Sequence, residues 1–194
     1  MRVLIACEYS GAARDAFRAR GHDALSCDLL PSETPGPHYQ GPVQDILGDG
    51  WDLMIAHPPC THLAVSGARW FAGKQAEQAE ALAFVRLLLA APIARIALEN
   101  PVSVISSRIR KPDQVIQPWQ FGHEATKTTC LWLKGLPHLT PTNIVGKGAR
   151  HVTKSGKSLP QWYNLPPSAD RWKIRSATFQ GIADAMAEQW GNPC

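Results

Sequence analysis

The sequence predicts an α/β fold, a mostly parallel central sheet covered by helices on both faces, and three observations carry that expectation. The chain opens β-α-β, with "RVLIAC", then "SGAARDAFRARG", then "HDALSCD". Strand-like and helix-like stretches keep alternating as far as Asn100, the pattern of parallel strands joined by crossover helices. Ser10, Gly11, Asp28, Cys60 and Glu99 fall at or just after the ends of strand-like runs, on the C-terminal edge where open α/β sheets place their ligands.

In the opening unit Ser10 is the expected cap of the first helix and Gly21 its stop. A Pro/Gly-rich passage, "LPSETPGPHYQGP", reads as a loop before "VQDILGDG" and the strand "WDLMIA". Pro58 and Pro59 end that strand and stiffen the chain beyond it, so Cys60 is held on a rigid loop. "KQAEQAEALAFVRLLLAA" carries apolar residues at helical spacing. Pro92 comes next, and "IARIALEN" is a strand ending in Glu99 and Asn100. Beyond Pro101 the composition turns to proline, tryptophan and threonine. One clear strand, "TTCLWL", stands there, and the last helix, in "TFQGIADAMAEQW", has an apolar stripe through Ile182, Ala183, Met186 and Trp190.

At 194 residues the chain is long enough for a single well-buried domain. Its 44% hydrophobic and 19% charged residues are ordinary for a soluble protein. No apolar run approaches the roughly 20 residues of a membrane span, and the first apolar run is too brief for a signal peptide, so a cytoplasmic protein is expected. The five cysteines form no CxxC pair and no metal-like cluster with the seven histidines, which fits reduced thiols and no metal. The net charge is +4, and its excess is concentrated between Asn143 and Ser176. There Lys147, Arg150, Lys154, Lys157, Arg171, Lys173 and Arg175 face the single acid Asp170. A polyanionic partner and a merely solvated basic loop fit that composition equally.

Asp28, an acid two dozen residues past a Ser/Gly turn, has the place of a ribose-binding carboxylate and equally that of a cap or turn residue. Cys60 and Glu99 say more together. A thiol on a rigid loop and a carboxyl at the end of the neighbouring strand can act on one ring, and methyl transfer to C5 of cytosine needs such a pair. A thiolate adding to C6 makes C5 nucleophilic, and a carboxyl at N3 stabilises the charge that develops. A free thiol with a pKa near ~8.5 is only slightly ionised at neutral pH, so Cys60 needs positive potential or a proton transfer on addition.

With those residues in hand, the sequence resembles the S-adenosylmethionine-dependent DNA cytosine-5 methyltransferases. "PPC" at 58 to 60 is similar to the family's Pro-Cys nucleophile loop and "LENP" at 98 to 101 to its Glu-Asn motif. "EYSGAARDAF" resembles the Phe-Ser-Gly cofactor loop, "CDLL" and "QDI" resemble the segments carrying the ribose and adenine contacts, and "SATFQGIADAMAEQW" resembles the closing motif. All six stand in the family's order. The resemblance implies a Rossmann-like methyltransferase fold over 1 to 194, with Cys60 as nucleophile, Glu99 at N3, Asn100 ordering and Pro59 shaping the Cys60 loop. It implies an S-adenosylmethionine site of Tyr9, Ser10, Gly11, Asp28, Asp45, Ile46 and Pro58, closed by Ser176 and Thr178.

The chain also departs from the family. Thr61 replaces the usual glutamine after the nucleophile, Cys7 replaces the usual acid with Glu8 displaced by one, and the Gln-x-Arg-x-Arg motif is not visible. Lys127, in "HEATKTTCLWL", is then either the replacement of an arginine or an exposed strand residue. Only the basic segment 134 to 175 occupies the place of a target-recognition domain. Its Trp162, Tyr163 and Trp172 suit stacking on a base, or a small core under the loop. The expected substrate is DNA, with a free cytosine nucleotide as the alternative and an inactive nucleic-acid-binding protein as a second. A cysteine hydrolase is disfavoured because neither His57 nor His62 has an evident orienting acid. A homodimer would supply in trans what a recognition domain supplies elsewhere.

Overall fold

The computed structural model describes residues 1–192; Cys194 lies outside them. Its centre is a seven-stranded sheet. The strands are β1 (Arg2–Ala6), β2 (Asp23–Asp28), β3 (His38–Gln40), β4 (Leu53–Ala56), β5 (Arg95–Asn100), β6 (Gln114–Ile116) and β7 (Thr129–Lys134). They lie in the order β3-β2-β1-β4-β5-β7-β6, parallel from β3 through β5 and antiparallel where β7 joins β5 and β6.

Both faces are covered, because alternate residues of the central strands point to opposite sides and nearly all are apolar. One face packs Leu4, Met54, Ile96 and Leu98 against Leu82, Val85 and Leu88 of helix α2 (Gln75–Leu89), with the single turn α3 (Ile105–Arg108) alongside. The other packs Val3, Ile5, Leu53 and Ile55 against Phe17 of α1 (Ala12–Ala19). The closing helix α5 (Gln180–Gly191) joins them there through Ile182, Ala183, Met186 and Trp190, the stripe expected from the sequence.

Three short elements leave no clear mark in the sequence. The Pro/Gly-rich passage contains β3, and a hairpin of β8 (Arg150–Val152) and β9 (Ser158–Pro160) stands within the basic segment, ahead of the short helix α4 (Arg171–Ser176). Residues 135–140 run back along α5. The Trp190 indole donates to the Pro137 carbonyl at 3.0 Å, and Leu139 is buried.

The expected cap of α1 needs correction. Ser10 reaches the Ala12 amide only at 3.4 Å. The orphan amides of the first turn instead donate to the carboxylate of Glu8, Ala13 N–H at 2.7 Å and Arg14 N–H at 3.2 Å. Glu8 wins because Cys7 turns the chain through a left-handed φ of 59° at the end of β1, and Gly11 holds a second left-handed turn of 80°. A charged carboxylate on two amides is the stronger partner at the positive end of a helix. Replacing Glu8 by alanine is therefore expected to lower stability by about 1–2 kcal/mol, the cost of losing a helix cap, measured as a fall in the urea midpoint.

Candidate active site

The C-terminal ends of β1, β4 and β5 meet at one edge of the sheet. Register does the positioning. Ala56 pairs with Leu98, so the next residues along the two parallel strands, His57 and Glu99, come side by side. The imidazole Nδ1 of His57 lies 3.2 Å from Glu99 Oε2, while its Nε2 is buried without a partner. Asn100, 1% exposed, donates from Nδ2 to the Pro58 carbonyl at 3.0 Å, which ties the end of β5 to the proline loop.

Beyond buried Pro58 the loop emerges. Pro59 and Cys60 are exposed, and the Cys60 carbonyl accepts from the amides of Leu63 and Ala64 at 3.0 and 2.9 Å, so the thiol sits at the start of a closed turn. Cys60 is exposed in surface area yet crowded by neighbouring atoms. Exposure decides whether a reagent reaches it, and crowding sets its ionisation. Burial and the nearby Glu99 charge raise its pKa against the opposing pull of Lys127 and Arg175. Glu99 moves the other way: burial pushes its carboxyl up, but the His57 hydrogen bond and the charges of Lys127 and His57 hold it below the ordinary value. Lys127, in the segment leading into β7, thus reaches both reactive groups. Its ammonium also lies 5.4 Å from the Trp162 ring and 5.7 Å from that of Phe179.

A cavity of about 60 Å³ opens on the other side of His57, lined by Cys7, Glu8, Tyr9 and Ser10 after β1, by His57, and by Ser176, Ala177 and Thr178 before α5. The two ends of the chain meet across it, where the Tyr9 and Ser176 hydroxyls hydrogen-bond at 2.8 Å. Trp172, half exposed, packs on Tyr9 with ring centroids 5.6 Å apart, and Lys173 pairs with Glu33 at 2.9 Å. The cavity wall is acidic. Burial and the charge of Asp28 push the Cys7 thiol up to about 12, so it stays neutral.

The other residues singled out in the sequence are placed around this centre. Asp28 ends β2 and accepts from its own turn, the Leu30 amide, at 2.9 Å. Asp45 accepts from the Tyr39 hydroxyl at 2.8 Å. Both are near enough to Cys27 for their charges to add to burial in raising its thiol to about 11. Ile46 stands apart: its side chain packs in the core and its carbonyl accepts from the Trp51 indole at 2.7 Å. Trp162 packs on Phe179, and Tyr163 is exposed.

Sequence reasoning misses His57, which has no evident orienting acid along the chain; Glu99 is that acid. The signal is available, since two parallel strands ending in "IAH" and "ALE" bring those residues together once paired in register. Among the described residues no group of three His, Cys, Asp or Glu side chains stands close enough to hold a metal, and no helix is long and apolar enough to cross a membrane.

No family model matches the chain, and no curated protein does. Among solved structures it is similar to a candidate DNA modification methyltransferase encoded within an E. coli prophage, at 16% identity and a TM-score of 0.50, over 76% of this chain and 53% of that one. The fold is a Rossmann-like methyltransferase fold. This chain spans about half the length of that neighbour.

The thiols offer a direct test of the site's electrostatics. Of Cys7, Cys27, Cys60 and Cys130, Cys60 should be the first alkylated in the native state, read by peptide mass mapping. Because its pKa is raised, the rate should climb about tenfold per pH unit up to about pH 9, and Lys127→Ala should slow it further at any fixed pH.

Proposed function

We propose that this protein transfers a methyl group from S-adenosylmethionine to C5 of cytosine in DNA, with Cys60 as the attacking nucleophile. The observation that carries the reading is the β4–β5 register, which brings the proline-stiffened Cys60 loop and Glu99 next to His57, a residue of the cavity wall. The likeness to a DNA modification methyltransferase supports it.

The cavity suits this cofactor better than a phosphate-bearing one. In dinucleotide-binding folds the first helix offers its free amides to a pyrophosphate. Here the Glu8 carboxylate occupies the amides of Ala13 and Arg14 and would repel a phosphate. A cationic ligand without phosphate, such as a sulfonium, fits an acidic wall. In this reading Tyr9, Ser10, Gly11, Pro58, Ser176 and Thr178 hold it, with Asp28 for the ribose hydroxyls and Asp45 toward the adenine, while Ile46, which packs in the core, backs the site without touching the ligand. A ligand of nucleoside size needs more than about 60 Å³, so binding parts Tyr9 from Ser176.

When bound, S-adenosylmethionine supplies a methyl group activated by its sulfonium. The chain's own groups prepare the acceptor. Cys60 Sγ adds to C6, Glu99 holds N3, Asn100 fixes the loop through Pro58, Pro59 shapes it, and Lys127 favours the thiolate. Loss of the C5 proton and departure of Cys60 restore the ring. The basic residues from Lys147 to Arg175 face the phosphates, so affinity for DNA should fall as salt rises. A free cytosine nucleotide is the second reading, favoured by the short segment that stands where a recognition domain would be.

The test is transfer of labelled methyl to duplex DNA, single-stranded DNA, RNA and cytosine nucleotides. Label is expected on C5 of cytosine in DNA, abolished by Cys60→Ala and lowered about 10²–10³-fold in kcat by Glu99→Gln. Label only on nucleotides selects the second reading. No label on any acceptor, with S-adenosylmethionine bound, leaves a nucleic-acid-binding protein that keeps the fold.

A further inference from the structure

The proton inventory at Glu99 does not close with Glu99 alone. Its carboxyl is held below the ordinary range, so it is ionised at neutral pH, while Cys60 keeps its proton. Addition to C6 asks for the reverse: a proton given to N3 and a proton taken from the thiol. The only side-chain hydrogen-bond partner of Glu99 among the described residues is His57. That imidazole is 9% exposed, its Nδ1 faces the carboxylate, and its Nε2 is a buried nitrogen with no partner, next to the cavity. With Nδ1–H donated to Glu99, the lone pair of Nε2 is free to take one more proton.

We propose that His57 is a positioning residue and proton store for Glu99: the two side chains bind one proton between them and present it to N3 of the cytosine. This rests on the methyl-transfer reading above and adds to it a residue outside the motifs that suggest that reading. The step balances. The S–C6 bond forms, the C5–C6 π pair moves to C4–C5, the C4–N3 π pair moves onto N3, and N3 takes the proton of the pair. The thiol proton of Cys60 then replaces it. Other charged or titratable groups face the pair from each neighbouring element. Cys7 and Glu8 stand after β1, Cys60 on its loop, Lys127 before β7, Cys130 in β7, and Arg175 in α4. None of them hydrogen-bonds Glu99, and of these groups Lys127 is the one whose charge lowers the carboxyl's pKa.

The hydrogen bond between the two side chains, with the unpartnered Nε2 behind it, is what lets the pair share a proton that Glu99 alone would not hold. Kinetics of methyl transfer against pH, with wild type, His57→Gln and His57→Asn, read this directly. In the variants the alkaline limb of kcat should move to lower pH. The loss in kcat should be largest at alkaline pH and shrink as pH falls, with KM for S-adenosylmethionine little changed. A deficit that is the same at every pH would overturn the proposal, because a merely structural role does not titrate. Circular dichroism identifies a variant that fails to fold. A second readout needs no turnover. The Glu99 carboxyl carbon, followed by NMR, should titrate at higher pH in His57→Gln than in wild type, and an unmoved midpoint rejects the pair. If the midpoint moves but wild type methylates no cytosine acceptor, the methyl-transfer reading fails while the coupled pair stands.

Discussion

Everything at the reactive edge depends on the parallel register of β4 on β5. Pairing Ala56 with Leu98 leaves His57 opposite Glu99 and Pro58 within reach of Asn100, so two strand ends supply four adjoining side chains without any loop having to fold into place. A slip of one residue would turn Glu99 to the opposite face of the sheet, since side chains alternate along a strand. The apolar residues on both faces forbid that slip. Met54 and Ala56 belong to one core and Leu53 and Ile55 to the other. Packing far from the chemistry therefore fixes which carboxylate meets which imidazole.

The same edge divides into two electrostatic halves. On the β1–β2 side stand Glu8, Asp28 and Asp45, and burial, reinforced by the charges of Asp28 and Asp45, keeps the thiols of Cys7 and Cys27 neutral. On the β5–β7 side Lys127, helped across the cleft by Arg175 of α4, pulls the Cys60 thiol toward ionisation, while burial and Glu99 resist. A cation and a polyanion can be bound side by side only if the charges that hold them are kept apart. His57 lies on the boundary, lining the acidic cavity with one side and touching Glu99 with the other.

Much of this was legible in the sequence, for physical reasons that also mark where reading stops. The strands around β1, β4 and β5 and the helices α2 and α5 stand out because burial imposes a period on their apolar residues. Cys60 and Glu99 stand out because strand ends at one edge of a parallel sheet converge. The three-residue strands β3, β8 and β9 are too short to show a period. The capping role of Glu8 depends on the left-handed turn at Cys7, a conformation that a cysteine gives no sign of adopting. The value of His57 depends on register, which periodicity implies but composition does not display. Of the two residues the family resemblance assigns to the adenine, Ile46 is inward-facing, a distinction no local pattern reveals.

The acidic half is itself held by a charge that takes no part in it. Arg14, on α1, is fully buried, and a guanidinium out of water is tolerated only when its donors are met. They are met by the hydroxyls of Ser26, Ser32 and Thr34, the carbonyls of Thr34 and Pro35, and the Asp15 carboxylate. These contacts fold the loop of residues 29–37 against α1. That loop then sends the Glu33 amide to the Tyr9 carbonyl at 2.8 Å and the Glu33 carboxylate to Lys173. Tyr9 and the Ser176 end of α4 form one wall of the cavity, so that wall is tied through Glu33 to Arg14 as well as to the sheet, where the Glu8 amide donates to the Cys27 carbonyl at 3.0 Å. The Cys60 side, tied directly to β4 and β5, has no such intermediary. In the methyl-transfer reading proposed above, the half tied to the strands carries Cys60 and the half closed by the Tyr9–Ser176 hydrogen bond takes the cofactor.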